Sequence, residues 1–480
     1  MYYEDLREYL RALEDRNLVV HVDDEVDPDL ELAHVLREVI YRNGPTVIFN
    51  KVKGCSCKAV GNLFGSIERI NMVCTDDEVR SRIEGFISLT QGRFRGVQEV
   101  LKSVQEFGKV GKALPRKVSS GPVHEVEWRE IDVRKLPAIR QWPREPSRFF
   151  TMAITFVKRG NVVNFGYYRL QVADERRLIM HWMPWRRSRE LGESIGDEIP
   201  VAIVLGADPI TMLMAAVPIP PPLDKLTLTG IVRGRGLDMV EGKCLDVLYP
   251  ANAEIVMEAV VKTRELVDEG PFGDHVGVYS PVLKYPIVEI KAIYTRADPI
   301  APVTVTGKPL LEDGYMIAFG ERIVRSLIRA ILPEVVDLHI PPHGLGYVYI
   351  VSIRKRYPGH AKRIMFLLWS LVPVLGKIII VVDHDINVRD INQVMYAVSA
   401  HVDPQRDILI IPNYPTEELD PSTPIIGLGS KMGIDATRKL PEEYNGKQYP
   451  EDVEPDPEVA RRAEEIVYKI FRIYSHSEGR

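Results

Sequence analysis

Between about Pro122 and Thr306 the chain is a succession of short β-rich runs, with few helical periods: VHEVEW, FFTMAITFV, NVVNFGYYRLQV, RLIMHWM, VAIVLG, YPIVEIKAIYT and APVTVT. Runs of this length, rich in Val, Ile, Phe, Tyr and Thr and punctuated by turns, predict a β-barrel or sandwich core of roughly 200 residues. Inside this stretch, PIPPPLD (Pro218 to Asp224) cannot pair into a central strand. It reads as a polyproline connector leading to Lys225.

Both flanks read differently. Leu6, Tyr9, Leu10 and Leu13 recur at helical spacing before the strand LVVHV. A second helix presents Leu32, Val35, Leu36 and Val39 and stops at Asn43-Gly44, ahead of the strand TVIFN. After about Gly314, helix and strand patterns alternate again through IVRSLIRAIL, YVYIVSI, RIMFLLWSLV, KIIIVVD, INQVMYAVSA and DILIIP. A last helix opens at Asp456-Pro457, an N-cap followed by proline. Its apolar face of Val459, Ala463, Ile466, Val467 and Ile470 is expected to bury on a neighbouring subunit. The fold class is therefore mixed α/β (α+β): an N-terminal α/β domain (1–118), a central β domain (119–315), a C-terminal α/β domain (316–450) and a terminal helix (451–480).

With 62 basic against 67 acidic side chains in 480 residues, the chain lacks the basic excess of a dedicated nucleic-acid binder. Cys55, Cys57, Cys74 and Cys244 are too few for a disulfide framework and form no CxxC pair, so a reducing, cytoplasmic setting is expected. The opening MYYEDLREYL is acidic and amphipathic, unlike a secretory signal. The most apolar stretch, Ile364 to Val382, contains Pro373 and Lys377 and reads as a buried helix and a core strand, with no membrane insertion. Asp383 and Asp385 form a DxD pair that reads as capping before it reads as metal binding. GxxxxGK, GxGxxG after a strand, HExxH and GxSxG are all absent, which leaves the usual phosphotransfer, Rossmann, zincin and serine-hydrolase chemistries without support.

What remains are polar residues set within apolar β-runs, where an unpaired polar group is costly. Asn164 and Arg169 interrupt NVVNFGYYRLQV, and a buried arginine requires an anionic partner. In MHWMPWRRSRE, His181 and Arg186-Arg187 sit among Trp182 and Trp185, flat aromatic and cationic groups suited to a flavin and its phosphate. In VDEGPFGDHVGVY, Glu269 and Asp274 flank a Gly-Pro-Phe-Gly turn. Singly, each also fits a structural role: a paired arginine, a core histidine, a turn joining two strands with His275 facing solvent. Together they point to a site for an anionic substrate over a planar cofactor.

These motifs, with EDLREYL, LVVHVDDEVDPDLELA, PANAEIVME, VDHDI, DPQRD and SKMGIDAT, make a sequence that resembles the UbiD-like decarboxylases, the polyprenyl-hydroxybenzoate and ferulic acid decarboxylases that use prenylated FMN. The resemblance implies a split β-barrel flavin domain between two α/β regions, the C-terminal one serving oligomerisation, in a homo-oligomer whose cofactor comes from a flavin prenyltransferase. It implies that Arg169, Glu269 and Asp274 form the catalytic network, with Asp274 as proton donor. Asn164, Tyr167, Tyr168, Arg169, His181, Trp182, Met183, Arg186, Arg187, Lys225 and Lys431 fall at cofactor-binding positions. The family holds manganese, with potassium nearby, through an Asn, a His and a Glu. Here Asn164 matches, whereas Trp185 and Lys225 stand at the other two positions. Tryptophan cannot ligate a metal and an ammonium repels one. A lone lysine carries the same net +1 as a divalent ion with one carboxylate, so Lys225 is expected to replace the metal at the phosphate.

The implied activity is loss of carbon dioxide from an α,β-unsaturated or aromatic carboxylic acid. Asp274 requires a raised pKa to act as an acid near neutral pH, and Phe272 and Val276 suggest apolar surroundings that would supply it. Arg186, Arg187, Arg189 and Lys225 favour a phosphorylated substrate such as anhydromevalonate phosphate, decarboxylated to isopentenyl phosphate. A polyprenyl or aromatic hydroxybenzoate is the alternative substrate, and a non-catalytic UbiD-like subunit is the alternative of another class.

Overall fold

The computed structural model describes residues 2–90, 111–183, 187–219, 223–453 and 455–477. It divides into Met1–Lys355 with Ala361–Thr437, and Arg356–His360 with Arg438–Arg480.

In the first unit, the helix Leu6–Glu14 is capped by Asp5, whose side chain accepts from the Glu8 N–H, and buries Leu6, Tyr9, Leu10 and Leu13. The helix Glu31–Tyr41 buries Leu32, Leu36 and Ile40, while Val35 faces outward, so its inner face is rotated from the expected one. These helices accompany a sheet in the order Val19–Val26, Thr46–Val52, Lys58–Gly61, Ile300–Val303. Its fourth strand corrects the sequence reading. APVTVT, expected in the central domain, contributes Ile300–Val303, which pairs parallel to Lys58–Gly61.

The central sheet has nine strands, eight of them along the path Phe149–Phe150, Leu170–Val172, Arg177–Met180, Leu283–Thr295, Ile255–Glu269, Glu198–Leu205, Ile154–Arg159, Val162–Tyr167. Among the described residues its two ends do not pair, so no barrel closes. Only Tyr168 and Arg169 separate Val162–Tyr167, at one end, from Leu170–Val172, next to the other. Because each residue spans at most about 3.6 Å, the sheet must roll until its ends nearly meet. Arg169 sits in that split. The 15-residue strand Ile255–Glu269 is buried over its first half, emerges into solvent, and returns to a fully buried Glu269. Three described helices, Arg187–Glu193, Pro209–Ala216 and Lys225–Arg233, interrupt a region where helical periods looked scarce. Pro209–Ala216 is buried on all sides except at Ala216, which explains why no amphipathic period marks it.

Beyond the helix Glu312–Ile331, a five-stranded sheet runs Val335–His339, Val348–Ile353, Ile378–Asp383, Leu428–Ala436, Ile408–Pro415. Its three middle strands are parallel. Ile364 to Val382 is a helix and a strand, as read from the sequence, and no described helix is long and apolar enough to cross a membrane. Asp390, not Asp383 or Asp385, caps the next helix, Ile391–His401. All four cysteines are free. In the second unit the helix Pro457–Ser477 is capped by Asp456, which accepts from the Glu458 and Val459 N–H groups, and it leaves Val459, Ile466, Val467 and Ile470 exposed.

Candidate active site

Arg169 meets its partners because three segments converge on the split: its own two-residue link, the returning end of Ile255–Glu269, and the turn that follows. Nε and Nη2 donate to the two carboxylate oxygens of Glu269 at 2.8 and 2.9 Å. Nη1 donates to Asp274 Oδ2, and Nη2 also reaches Ser280 Oγ at 3.2 Å. The guanidinium lies 4.7 Å from the Phe272 ring centroid. Side-chain exposure is 8% for Arg169, 0% for Glu269 and 9% for Asp274, so this ion triad is shielded from water.

The turn is shaped by two glycines. Gly270 has φ +90°, a conformation side chains resist. Gly273 lies against Trp142, where a Cβ would come within 2.0 Å of the indole. Glu145, which sequence reasoning missed, holds the turn from behind by accepting from the Gly273 N–H at 3.0 Å. Burial pushes its carboxyl up to about 7.

His181 approaches Glu269 through Nδ1 at 3.1 Å, and its ring packs 4.4 Å from that of Tyr285. Burial and the Arg169 charge hold its pKa below the ordinary histidine value. A carboxylate only accepts, so Nδ1 carries the hydrogen. For Glu269, burial alone would raise the pKa, but Arg169 and His181 outweigh it and hold it at about 2. Asp274 differs from expectation. Burial raises its pKa, but the hydrogen bond and charge of His275, and then Arg169, prevail and hold it well below the ordinary carboxylate range. In this arrangement Asp274 is an anion, not a poised acid. His275 also departs from the reading: it is half-buried and bonded to Asp274 rather than facing solvent.

A cavity of about 170 Å3 opens beside the triad, walled by Tyr167, Tyr168, Arg169, His181, Met183 and Asp274 among others. Thr151, Tyr167, His275, Thr306 and Glu417 also line a larger, mainly apolar cavity of about 310 Å3. Trp182 instead packs into the core of the central sheet, edge-on to Tyr168 at 6.3 Å. Asn164 donates to Ser188 Oγ at 2.8 Å and Arg187 to the Leu223 carbonyl at 2.7 Å, which draws Asn164, Arg187 and Lys225 into one neighbourhood. Lys225 is buried, with Nζ on the Ala215 carbonyl and 5.0 Å from the Phe165 ring centroid. Arg189 is engaged by Glu193 and by the Trp182 carbonyl. Lys431 lies in the C-terminal sheet with Nζ on the Leu375 carbonyl at 2.8 Å. Trp185 and Arg186 lie outside the described residues.

The cavities offer a ligand polar groups as well as apolar walls. Tyr167 Oη and Asp313 Oδ2, on residues lining the larger one, are buried and lack a hydrogen-bond partner. Each such atom costs about 1–3 kcal/mol until something satisfies it. A divalent metal fits poorly: among the described residues no three His, Cys, Asp or Glu side chains gather, and the ammonium of Lys225 lies over the ring of Phe165, the residue after Asn164.

Comparison with known proteins agrees over nearly the whole length. The chain matches the models of the 3-octaprenyl-4-hydroxybenzoate carboxy-lyase N-terminal domain over residues 10–83, its Rift-related domain over 116–309 and its C-terminal domain over 314–436. An uncharacterised protein of Aeropyrum pernix is 42% identical over 96% of this chain and 97% of its own, and one of Archaeoglobus fulgidus is 36% identical over 98% and 99%. Among solved structures, the closed form of vanillic acid decarboxylase from Sedimentibacter hydroxybenzoicus superposes with a TM-score of 0.86 at 27% identity, covering 97% of this chain and 99% of that one. The open form of the same enzyme gives 0.75. The UbiD-class enzyme HmfF from Pelotomaculum thermopropionicum, in an evolved dimeric form in complex with prFMN, gives 0.74 at 25% identity over 96% and 98%.

Proposed function

The chain belongs to the UbiD family of carboxy-lyases, and from that premise we propose that it decarboxylates an α,β-unsaturated or aromatic carboxylic acid with prenylated FMN bound beside Arg169. The observation that carries this is the buried Arg169–Glu269–Asp274 triad opening onto two cavities with shared walls. Prenylated FMN, when bound, supplies the electron sink that no side chain offers. Tyr167, Tyr168, His181 and Met183 would hold its ring, and Asn164, Arg187 and Lys225 its phosphate. Lys225 stands there in place of a metal.

Glu269 fixes the guanidinium plane of Arg169, leaving Nη1, the nitrogen on Asp274, as the edge that turns to a substrate carboxylate. Asp274 is then in place to protonate the carbon from which carbon dioxide departs. Burial excludes the water that would compete for that carbon.

The larger cavity supports an acid with an apolar body, such as a hydroxybenzoate, over a phosphorylated one. Its described lining includes Met152, Val217, Met316, Ile317, Val324 and Leu375, with the carboxylates Asp313, Glu321 and Glu417 and no lysine or arginine. Three carboxylates against the single imidazolium of His275 disfavour a phosphate there. The exposed apolar face of Pro457–Ser477 supports assembly with further copies of the chain.

The test is protein produced with a flavin prenyltransferase: a bound flavin of prenylated mass, and carbon dioxide release from an unsaturated or aromatic acid. Prenylated flavin bound without turnover of any such acid would favour a non-catalytic subunit. Stoichiometric manganese in that preparation would reject the role of Lys225.

A further inference from the structure

The triad leaves a problem of proton supply. Asp274 is clamped as an anion: Oδ2 accepts from Arg169, and Oδ1 accepts from both the backbone N–H and the ring Nδ1 of His275, each at 2.7 Å. A carboxylate so held has no proton to give. The adjacent ring does. His275 Nε2 faces Glu417 Oε2 at 4.0 Å, and His275, Glu417 and Asp313 share the wall of the larger cavity.

We propose that His275 is the source of the proton Asp274 delivers, passing Nδ1–H to Asp274 Oδ1 so that the neutral acid can protonate the carbon carbon dioxide has left. This rests on the reading that Asp274 meets that carbon; His275 acts through Asp274 and need not touch substrate. The balance is simple. The N–H bond breaks at Nδ1 as an O–H bond forms at Oδ1. That O–H bond then breaks as the C–H bond forms with the electron pair left by carbon dioxide. The neutral imidazole keeps its Nε2–H and regains the lost proton at Nδ1, from water that protonates Asp274 Oδ1 once product has left; Glu417 and Asp313, on the far side of the ring, favour the imidazolium again. Substrate itself provides the trigger. A carboxylate that takes over Arg169 Nη1 removes one of the two cations that keep Asp274 ionised, which narrows the proton's preference for nitrogen.

The groups facing this pair agree. Burial disfavours the imidazolium, but Asp274, then Glu417 and Asp313, outweigh it and bring His275 to about 9. Burial lifts Asp313 to about 6, with His275 lowering it and Asp274 and Glu312 raising it. Arg169, beyond Asp274, and Tyr347, beside Glu417, complete the charged and titratable surroundings.

The test uses the full chain. With histidine 15N-labelled and His275 assigned by its loss in His275→Gln, NMR with and without FMN should show an imidazolium up to pH 8. Asp274→Asn should return it towards ordinary histidine titration. In the prenylated-FMN holoenzyme, kcat should fall at alkaline pH with a midpoint near the imidazolium titration. His275→Gln should lower kcat on the order of 100-fold and erase that limb while FMN affinity holds. A neutral ring at pH 7, or a His275→Gln enzyme with wild-type kcat and an intact alkaline limb, overturns the proposal. A wild-type holoenzyme inactive on every acid tried, with the imidazolium still present, instead refutes the function and leaves the charged pair standing.

Discussion

Replacing Glu269 by Gln keeps the shape of the side chain and removes its charge, which makes it a direct measure of what the triad contributes. The carboxylate accepts two hydrogen bonds from Arg169 and one from His181 in a place with no exposed side-chain area. Burial raises its pKa, yet Arg169 and His181 hold it at about 2 against an ordinary 4.5. A gap of about 2.5 pH units corresponds to about 3 kcal/mol at neutral pH. Removing one member of a buried ion pair typically costs about 3–5 kcal/mol, so two routes agree. The assay is hydrogen exchange over the paired strands Ile255–Glu269 and Leu283–Thr295, compared at equal pH. At pH 7 the variant should exchange on the order of 100-fold faster there. Because the folded pKa is depressed, the contribution is fully present above 4.5 and is lost as pH falls from 4.5 towards 2. The difference should therefore hold at pH 7 and 5.5 and shrink below 4.5. Equal exchange at pH 7, or a gap undiminished at pH 3, would refute the reasoning.

Asp274→Asn should abolish turnover, a drop of about 100-fold or more, while FMN titration stays unchanged; retained activity removes Asp274 from the mechanism. Gly273→Ala places a Cβ 2.0 Å from Trp142 Cδ1, and the indole is anchored by its Nε1 donating to the Thr306 carbonyl at 2.9 Å. Overpacking of about 1–3 kcal/mol should appear as a lower melting temperature, with kcat reduced more than FMN affinity. Lys431 is brought to about 8 by burial, so the wild type should gain thermal stability as pH rises from 8 towards 10.5, and Lys431→Met should lack that gain. If Lys431 contacts the cofactor phosphate, the same variant binds FMN roughly tenfold more weakly; unchanged FMN affinity rejects that contact.

That Arg169 must meet an anion could be read from sequence, because a charge inside an apolar β-run must find an opposite charge; that Glu269 and Asp274, out of 67 acidic residues, are its partners was implied only by the family resemblance. The state of Asp274 could not be read. Phe272 and Val276 announce burial, but the cations that decide the balance are the adjacent ring, read as solvent-facing, and an arginine 105 residues earlier. Asp313 and Glu417 were invisible for a similar reason: only packing of the Glu312–Ile331 helix and the segment after Pro415 brings them to His275. Local patterning likewise marked APVTVT as a strand, since period and composition do not say which sheet a strand will join.

That strand bears on how the molecule is made. Lys58–Gly61 waits for Ile300–Val303 as its parallel neighbour, so a nascent chain leaving the ribosome carries an open sheet edge until some three hundred residues have been synthesised. Truncation after residue 118 would expose the same edge for good, and the N-terminal fragment should aggregate rather than behave as an independent module.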